Sequence, residues 1–499
     1  MKTKILLWSV VSIFIVILAV GLYWWWSRPQ VFTFNDGSKL TLVGVDYGRR
    51  NHVPRGGPPP ATAGGSPSRG VVPRSFTTPN DTLVVWARAK YDSNPTSPNP
   101  YYNFQLAVYD KAGTACALAF GSTMSGNRQA NDMLMFQFQA FPRREGKLYF
   151  RALENGSGGQ EMSENKLAVS NPARGKSHPK WTPDPVPDTQ SDGDLAVTLT
   201  KLVAGVAMRY QRDRDNADDA MNKGIQVSYR VERDGKPVRN WTPMSLETTD
   251  ATGNRTLISY GANGGNQVQW KGDEGTLTCP NGLWPDEPAW KLRVQMTQTA
   301  DFSSDEQWTA QNVPVVPGSQ ETFNGMAGVR GRVVVRNGVV TQLPNPSGDN
   351  APPPTPCAEA DLGGHHIKIF PAVQFTNLPA RPPNLPANAV FTQPQQTGLM
   401  IQIQPAVVNY VGRMNGTQPP GDAMSVTLAK VTDGQGGEIQ TYSSGWSSTG
   451  AGGADSISTY RFTLRDIGSV TNITATIALH KDRFFEFTVK PEKATSAEP

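Results

Sequence analysis

The chain has 499 residues, 37 % of them hydrophobic, with 48 Gly, 41 Pro and only 3 Cys. That length corresponds to about three domains at roughly 150 residues each. The Gly and Pro load excludes a helical bundle, the apolar content excludes wholesale disorder, and a net charge of +5 is too thinly spread to imply nucleic acid as a partner.

The first element is apolar. After a short tail at 1–4, residues 5–26 form 22 consecutive positions without a charge, enough at about 1.5 Å each to cross roughly 30 Å of hydrocarbon as a transmembrane helix. The run ends in Tyr23, Trp24, Trp25 and Trp26, bulky rings that suit a headgroup belt and not a signal-peptide cleavage site. Lys2 and Lys4 outweigh Arg28 on the other flank, so the positive-inside rule places the N-terminus inside and the body outside the cytoplasm. The expectation is a single-pass protein of the inner or plasma membrane.

From Val31 the hydrophobic period becomes two. Val31 to Phe34 and Lys39 to Val45 flank Asn35-Asp36-Gly37, the pattern of a β-hairpin. Further alternating runs define a first β-sandwich module over 31–172. A connector at 173–194, rich in Pro, is expected to be stiff and to hold modules apart. A second module is expected over 195–318, with one short helix around Asp215 to Asn222. A third, over 319–490, carries Pro-rich insertions and includes Phe484 to Val489 as its closing strand. Residues 491–499 read as a frayed tail. The fold class expected is all-β, two to three Ig-like β-sandwich modules behind one transmembrane helix, joined by Pro/Gly-rich linkers.

Two segments carry a resemblance. Phe141-Pro-Arg-Arg-Glu-Gly-Lys-Leu-Tyr-Phe-Arg-Ala152 and Gly282-Leu-Trp-Pro-Asp-Glu-Pro-Ala-Trp-Lys-Leu-Arg-Val294 resemble stretches in uncharacterised bacterial envelope-anchored β-sandwich proteins. The resemblance implies an envelope location and transfers no catalytic or binding residue.

Motifs for chemistry are absent: no His-Glu-x-x-His, Cys-x-x-Cys, Gly-x-Ser-x-Gly or Gly-x-Gly-x-x-Gly opens an expected site. No cofactor or metal is expected. The acidic run Asp213 to Asp219 lacks the Gly and Glu of a calcium loop. His365 and His366 are adjacent on a strand, so they point to opposite faces and cannot easily share a metal. Cys116, Cys279 and Cys357 are too few and too scattered for a disulfide framework.

Two stretches remain as candidate sites. Between Trp270 and Trp308 lie Trp284 and Trp290 with Asp286 and Glu287; aromatic rings flanked by carboxylates are what a sugar stacks on, and a separated carboxylate pair is what glycoside hydrolysis uses. The alternative is that the tryptophans are core and the acids sit in turns. The second stretch, Gly48 to Ser75, carries Arg49, Arg50, Arg55, Arg69 and Arg74 without an acid, and with Arg28 it could touch anionic lipid headgroups. The leading expectation is a non-enzymatic envelope binding or scaffolding protein whose partners are the membrane and envelope proteins. A polysaccharide-binding protein and a glycoside hydrolase are the alternatives.

Overall fold

A computed structural model describes residues 30–35, 37–52, 75–90, 104–120, 122–123, 133–156, 159–207, 223–259, 268–280, 282–318, 332–336, 339–343, 355–375, 396–407, 423–449, 455–465 and 467–494. The expected transmembrane helix, Arg28, Arg55, Arg69, Arg74, the acidic run at 213–219 and the short helix around 215–222 lie outside them. Among the described residues no helix is long and apolar enough to cross a membrane, and helical geometry is confined to a 3₁₀ turn at Ser304–Glu306. The rest is β-structure in several sheets, as the alternating sequence predicts.

In the first sandwich, β1 (Val31–Thr33) and β2 (Lys39–His52) form the expected hairpin, Val31 opposite Thr41, with Gly37 at φ 86° in the turn. There follow β3 (Ser75–Lys90), β4 (Phe104–Tyr109), β5 (Ala115–Phe120), β6 (Ser122–Thr123) and β7 (Met133–Phe138). The remaining strands are β8 (Lys147–Gly156), β9 (Gly159–Met162) and β10 (Leu167–Ser170). One sheet runs β1-β2-β3-β7-β6 and the other β10-β8-β4-β5, with β9 on β8. The interior is aromatic: Phe34 meets Phe104 and Phe138 meets Phe150 at centroid separations of 5.5 and 6.0 Å.

The second sandwich begins with β11 (Asp188–Asp192), β12 (Leu195–Ala207), β13 (Lys223–Arg233) and β14 (Lys236–Pro237). It continues through β15 (Trp241–Asp250), β16 (Arg255–Ser259), β17 (Gln269–Lys271), β18 (Glu274–Cys279) and β19 (Trp290–Gln298). Its sheets run β11-β12-β13-β18-β17 and β16-β15-β19. Strand β18 shows why these residues form a strand: Gly275, Leu277 and Cys279 face inward and alternate with half-exposed Glu274, Thr276 and Thr278.

The third unit comprises β20 (Gln307–Gly318), β21 (Arg332–Arg336), β22 (Val339–Leu343), β23 (Ala358–Leu362), β24 (His365–Ile369) and β25 (Ala372–Phe375). It is completed by β26 (Gln396–Gln404), β27 (Met424–Asp433), β28 (Thr441–Thr449), β29 (Ile457–Arg465) and β30 (Asn472–Lys481). Among the described residues, strands β21 and β22 pair only with each other. Strand β20 switches partners along its length. Gln307–Pro314 pairs antiparallel with β30, and after a register shift containing Asn312 at φ 57°, Val315–Gly318 pairs parallel with β25. Its own core, including Ile367, Ile401, Phe462, Ile477 and Leu479, is separate from that of the first two sandwiches.

The chain then returns. Strand β31 (Arg483–Val489) pairs antiparallel with β19, and β32 (Glu492–Lys493) pairs parallel with β12. Three assignments made from the sequence are therefore corrected. Phe484 to Val489 closes the second sandwich, because Phe485, Phe487 and Val489 are buried in its core. Gln307 to Gly318 belongs with the third unit. Residues 491–494 include the short strand Glu492–Lys493 and are no frayed tail, while 495–499 lie outside the described residues. The third sandwich is thus an insertion between β19 and β31 of the second.

The connector is corrected too. It does not hold modules apart; it lies across their junction. Arg144 Nη2 donates to the Pro179 carbonyl at 3.0 Å, and the Asp184 amide donates to the Thr488 carbonyl at 2.7 Å. One bond uses a connector carbonyl and the other a connector amide, so the segment is tied to Arg144 of the first sandwich and to Thr488 of β31. One continuous hydrophobic cluster runs from Phe32 through Phe141 and Trp284 to Val489, so the first and second sandwiches share a core.

Candidate functional site

The tryptophan and carboxylate stretch is drawn into three different environments. Trp290 is fully buried on β19, paired opposite Asp250 and Val489, and Trp284 is 5 % exposed. Neither ring offers a face to a sugar. Trp270 is half-buried, edge-on to Tyr229 at 5.8 Å with the Arg239 guanidinium 6.0 Å from its centroid. Trp308 packs on the core of the third sandwich. The four rings therefore form no common platform, and for Trp284 and Trp290 the core alternative holds.

Asp286 and Glu287 are each taken by a cation. Glu287 receives Arg144 in a two-pronged pair, Nε to Oε1 at 2.7 Å and Nη2 to Oε2 at 3.0 Å, the geometry a planar guanidinium imposes on a carboxylate. Asp286 points outward to Lys493 Nζ at 2.5 Å. Arg144 belongs to the first sandwich, Glu287 to the second, and Lys493 to the returning C-terminal strand, so these are joints between elements distant in sequence.

Around that pair the two resembling segments meet. The Trp284 indole donates to the Thr114 carbonyl at 3.1 Å, and the Gly282 amide donates to the Cys116 carbonyl at 3.2 Å. Arg143, next in sequence to Arg144, is only 4 % exposed. Its guanidinium donates to Asn254 Oδ1 at 2.8 Å, Tyr47 Oη at 3.0 Å, and the carbonyls of Thr252 and Asp81 at 3.1 and 2.9 Å. It also stacks over the Tyr47 and Phe141 rings. Burial pulls this guanidinium down from its usual value, while Tyr47, Asp250 and Asp81 push it back up.

The receiving loop is shaped for Arg143. Asp250 Oδ1 accepts the amides of Thr252 and Asn254 at 2.8 and 3.1 Å, and Asn254 bonds both backbone groups of Phe141. Gly253 turns at φ 87°, and a Cβ there would sit 3.3 Å from Arg143 Nη1. Glycine is needed on both counts.

Two acids that sequence reasoning passed over gather at the rim. Asp110 and Glu145 both have raised carboxyl pKa values, first because of burial and also through each other or Asp286. Each is held by backbone amides: Thr114 on Asp110 at 2.7 Å, and Lys111 on both oxygens of Glu145 at 3.1 and 2.9 Å. Only the spatial meeting of the two sandwiches reveals them, since the nearer of them is 141 positions from Asp286 in the chain.

Of the arginines expected at the membrane surface, Arg49 and Arg50 are described. They stand exposed at the far end of β2, with Arg49 Nε 4.0 Å from Asp81. His365 and His366 point to separate partners, as expected for adjacent strand residues. His365 Nδ1 meets the Pro405 carbonyl at 2.8 Å, while His366 lies between Asp361 at 2.8 Å and Glu359 at 2.9 Å. The carboxylates sit on opposite ring nitrogens, an arrangement that bridges a hairpin and surrounds no common metal position. Among the described residues no group of three or more His, Cys, Asp or Glu is placed to hold a metal ion. The three cysteines are free thiols, Cys116 and Cys279 buried and Cys357 exposed. Burial pushes the Cys116 thiol well above its usual value, so it behaves as an unreactive core residue.

No family model matches the chain, and no curated protein matches it. The geometry itself therefore carries the functional reading. What it does chemically is bind one sandwich to the next: a bidentate ion pair, a buried arginine hydrogen-bonded on both sides, and an indole that both fills the core and donates across the boundary.

Proposed function

We propose that the protein is a non-enzymatic scaffold of the cell envelope, anchored by residues 5–26 with its β-sandwich body outside the cytoplasm. The observation that supports this best is the Arg144–Glu287 joint with Arg143 and Trp284 around it. Of the candidate ligand-binding residues, Trp284 and Glu287 are engaged in holding the first and second sandwiches together. A body joined this way presents its outer sheet faces at fixed relative positions, which is what a scaffold needs. The uncharged run of 22 residues supports the anchor, and the resemblance of the two joint segments to envelope proteins agrees with the compartment. Arg28, Arg49, Arg50, Arg55, Arg69 and Arg74 would lie near the membrane and meet anionic headgroups, each adding about 1 kcal/mol at the surface.

The test is affinity purification of the full-length protein from its native membrane after mild cross-linking, with partners identified by mass spectrometry against an untagged control. Reproducible recovery of an envelope protein is the expected result. Recovery of the bait alone, or its loss from the membrane fraction on alkaline extraction, would contradict the proposal.

A further inference from the structure

The chain passes between the second and third sandwiches at two places, the segment 299–306 and the single residue Asp482. Asp482 stands between β30, the last strand of the inserted sandwich, and β31, which returns to the second. It is 2 % exposed. Its amide donates to the Ala423 carbonyl at 3.0 Å, on the third-sandwich side. One carboxyl oxygen, Oδ2, accepts Gln295 Nε2 from β19 at 2.6 Å and Ser425 Oγ from β27 at 2.9 Å. One atom thus ties a strand of each sandwich. Gln295 is itself oriented by Ser245, which donates to its Oε1 at 2.7 Å, and Met244 Sδ lies 3.1 Å from Ser425 Oγ. The other oxygen, Oδ1, is buried and has no hydrogen-bond partner among the described residues.

The groups packed on this carboxyl are neutral. From β19 they are Gln295 and Thr297, from β15 Met244 and Ser245, and from β27 Ser425. Of the chain neighbours, Lys481 is exposed and Arg483 turns away to Asp192 and Asp194 at 3.2 and 3.6 Å. His480, two positions back in the chain, faces Phe302 at 5.0 Å and feels Glu306. Burial lowers it to about 4, so it stays neutral from pH 5 upward. A buried carboxylate with one oxygen unpaired and no facing cation is costly, and the neutral acid is far less so.

We propose that Asp482 is a proton-operated latch between the second and third sandwiches: the neutral carboxyl holds the joint shut, and ionisation favours a state in which the joint opens far enough to hydrate it.

Burial raises the Asp482 carboxyl from 3.8 to about 6, against the pull of Gln295, Ser425 and Thr297. In the open, hydrated state it returns to the ordinary value. Because the closed state binds the proton more tightly, closure is favoured at low pH, weakens as pH rises from about 4 to 6, and then levels off. Between pH 5 and 7.5 the ratio of open to closed joint rises about tenfold.

The test is hydrogen exchange, read by mass spectrometry on the full-length protein in detergent and corrected for the intrinsic pH dependence of exchange, over peptides from β27 and β31. Wild type is expected to open about tenfold more at pH 7.5 than at pH 5. Asp482→Asn keeps the acceptor and removes the charge, so its opening should be equal at the two pH values and no greater than that of wild type at pH 5. Ser425→Ala removes a donor to the ionised form and should widen the wild-type difference, which keeps the proposal testable if Asp482→Asn does not fold. Opening that does not change with pH in wild type, or that changes equally in Asp482→Asn, or a difference unaltered by Ser425→Ala, would overturn it.

Discussion

Arg144 and Glu287 stand 143 positions apart in the chain and meet in a two-pronged ion pair whose carboxylate is only 11 % exposed. The pair joins the first sandwich to the second, and its neighbour Arg143 crosses the same boundary through hydrogen bonds to Asn254 and the Thr252 carbonyl. Glu287→Ala leaves the Arg144 fork without its acceptor. Two charge-assisted hydrogen bonds at a partly buried site are together worth about 2–3 kcal/mol, so urea unfolding followed by tryptophan fluorescence should show a loss of that size. Asp286→Ala, which breaks an exposed contact to Lys493, should leave the midpoint unchanged.

Trp290→Ala should be the most damaging of the tryptophan substitutions. The side chain is fully buried between β15 and β31, and truncating a core tryptophan costs about 3–5 kcal/mol. Trp270→Ala removes a half-buried ring and should cost markedly less. Thermal melts of the two variants check the order. Equal losses would mean that Trp270 is as deeply embedded as Trp290.

Ending the chain after Asp482 should abolish the folded second sandwich, although the deletion removes only residues that sequence patterning assigns to another module and a tail. Phe485, Phe487 and Val489 fill the core beside β19, and without them that sheet edge and core lie open to water. Limited proteolysis of the truncated and full-length proteins compares them. Cleavage within β12 to β19 should be rapid in the truncated chain and slow in the full one.

His366 is held between Asp361 and Glu359 on the β23–β24 hairpin, and these two hydrogen bonds raise its pKa above the usual histidine value. A group that binds its proton more tightly when folded contributes stability that is complete below the unfolded value near pH 6.5 and is lost as pH rises through the raised one. NMR titration of the imidazole should show the raised midpoint in wild type. In Asp361→Asn, which removes the carboxylate on Nδ1, the midpoint should fall. No change in that variant would mean that Glu359 alone sets it.

The all-β class was legible because alternation of apolar and polar residues is local: the β1–β2 hairpin, β18 and β30 each show it within a few positions. Partnership between strands was not. Phe485, Phe487 and Val489 alternate in the same way whether they close the second or the third sandwich, and only the pairing of β31 with β19 decides. The stretch from Trp270 to Trp308 looked like one cluster because its members are close in sequence, yet β17, β19 and β20 carry them to three surroundings. Glu287 stands out in the sequence by its charge and its neighbouring rings, while the feature that explains it, Arg144, lies 143 positions away and carries no local signal of the pairing. Asp482 carried no signal at all. A single acid between two strands reads as a turn residue, and its burial follows from the insertion of one sandwich into another.

Arg144, Glu287, Arg143 and Trp284 form a joint that makes the first two sandwiches one body. Denaturant-dependent hydrogen exchange on the full-length protein tests it most directly, by comparing β7 in the first sandwich with β19 in the second. The two strands should become exposed at the same denaturant concentration, and Trp284→Ala, which removes both core packing and the bond to Thr114, should lower both midpoints together. Exposure of β7 and β19 at well-separated concentrations, with only β19 responding to Trp284→Ala, would contradict the account.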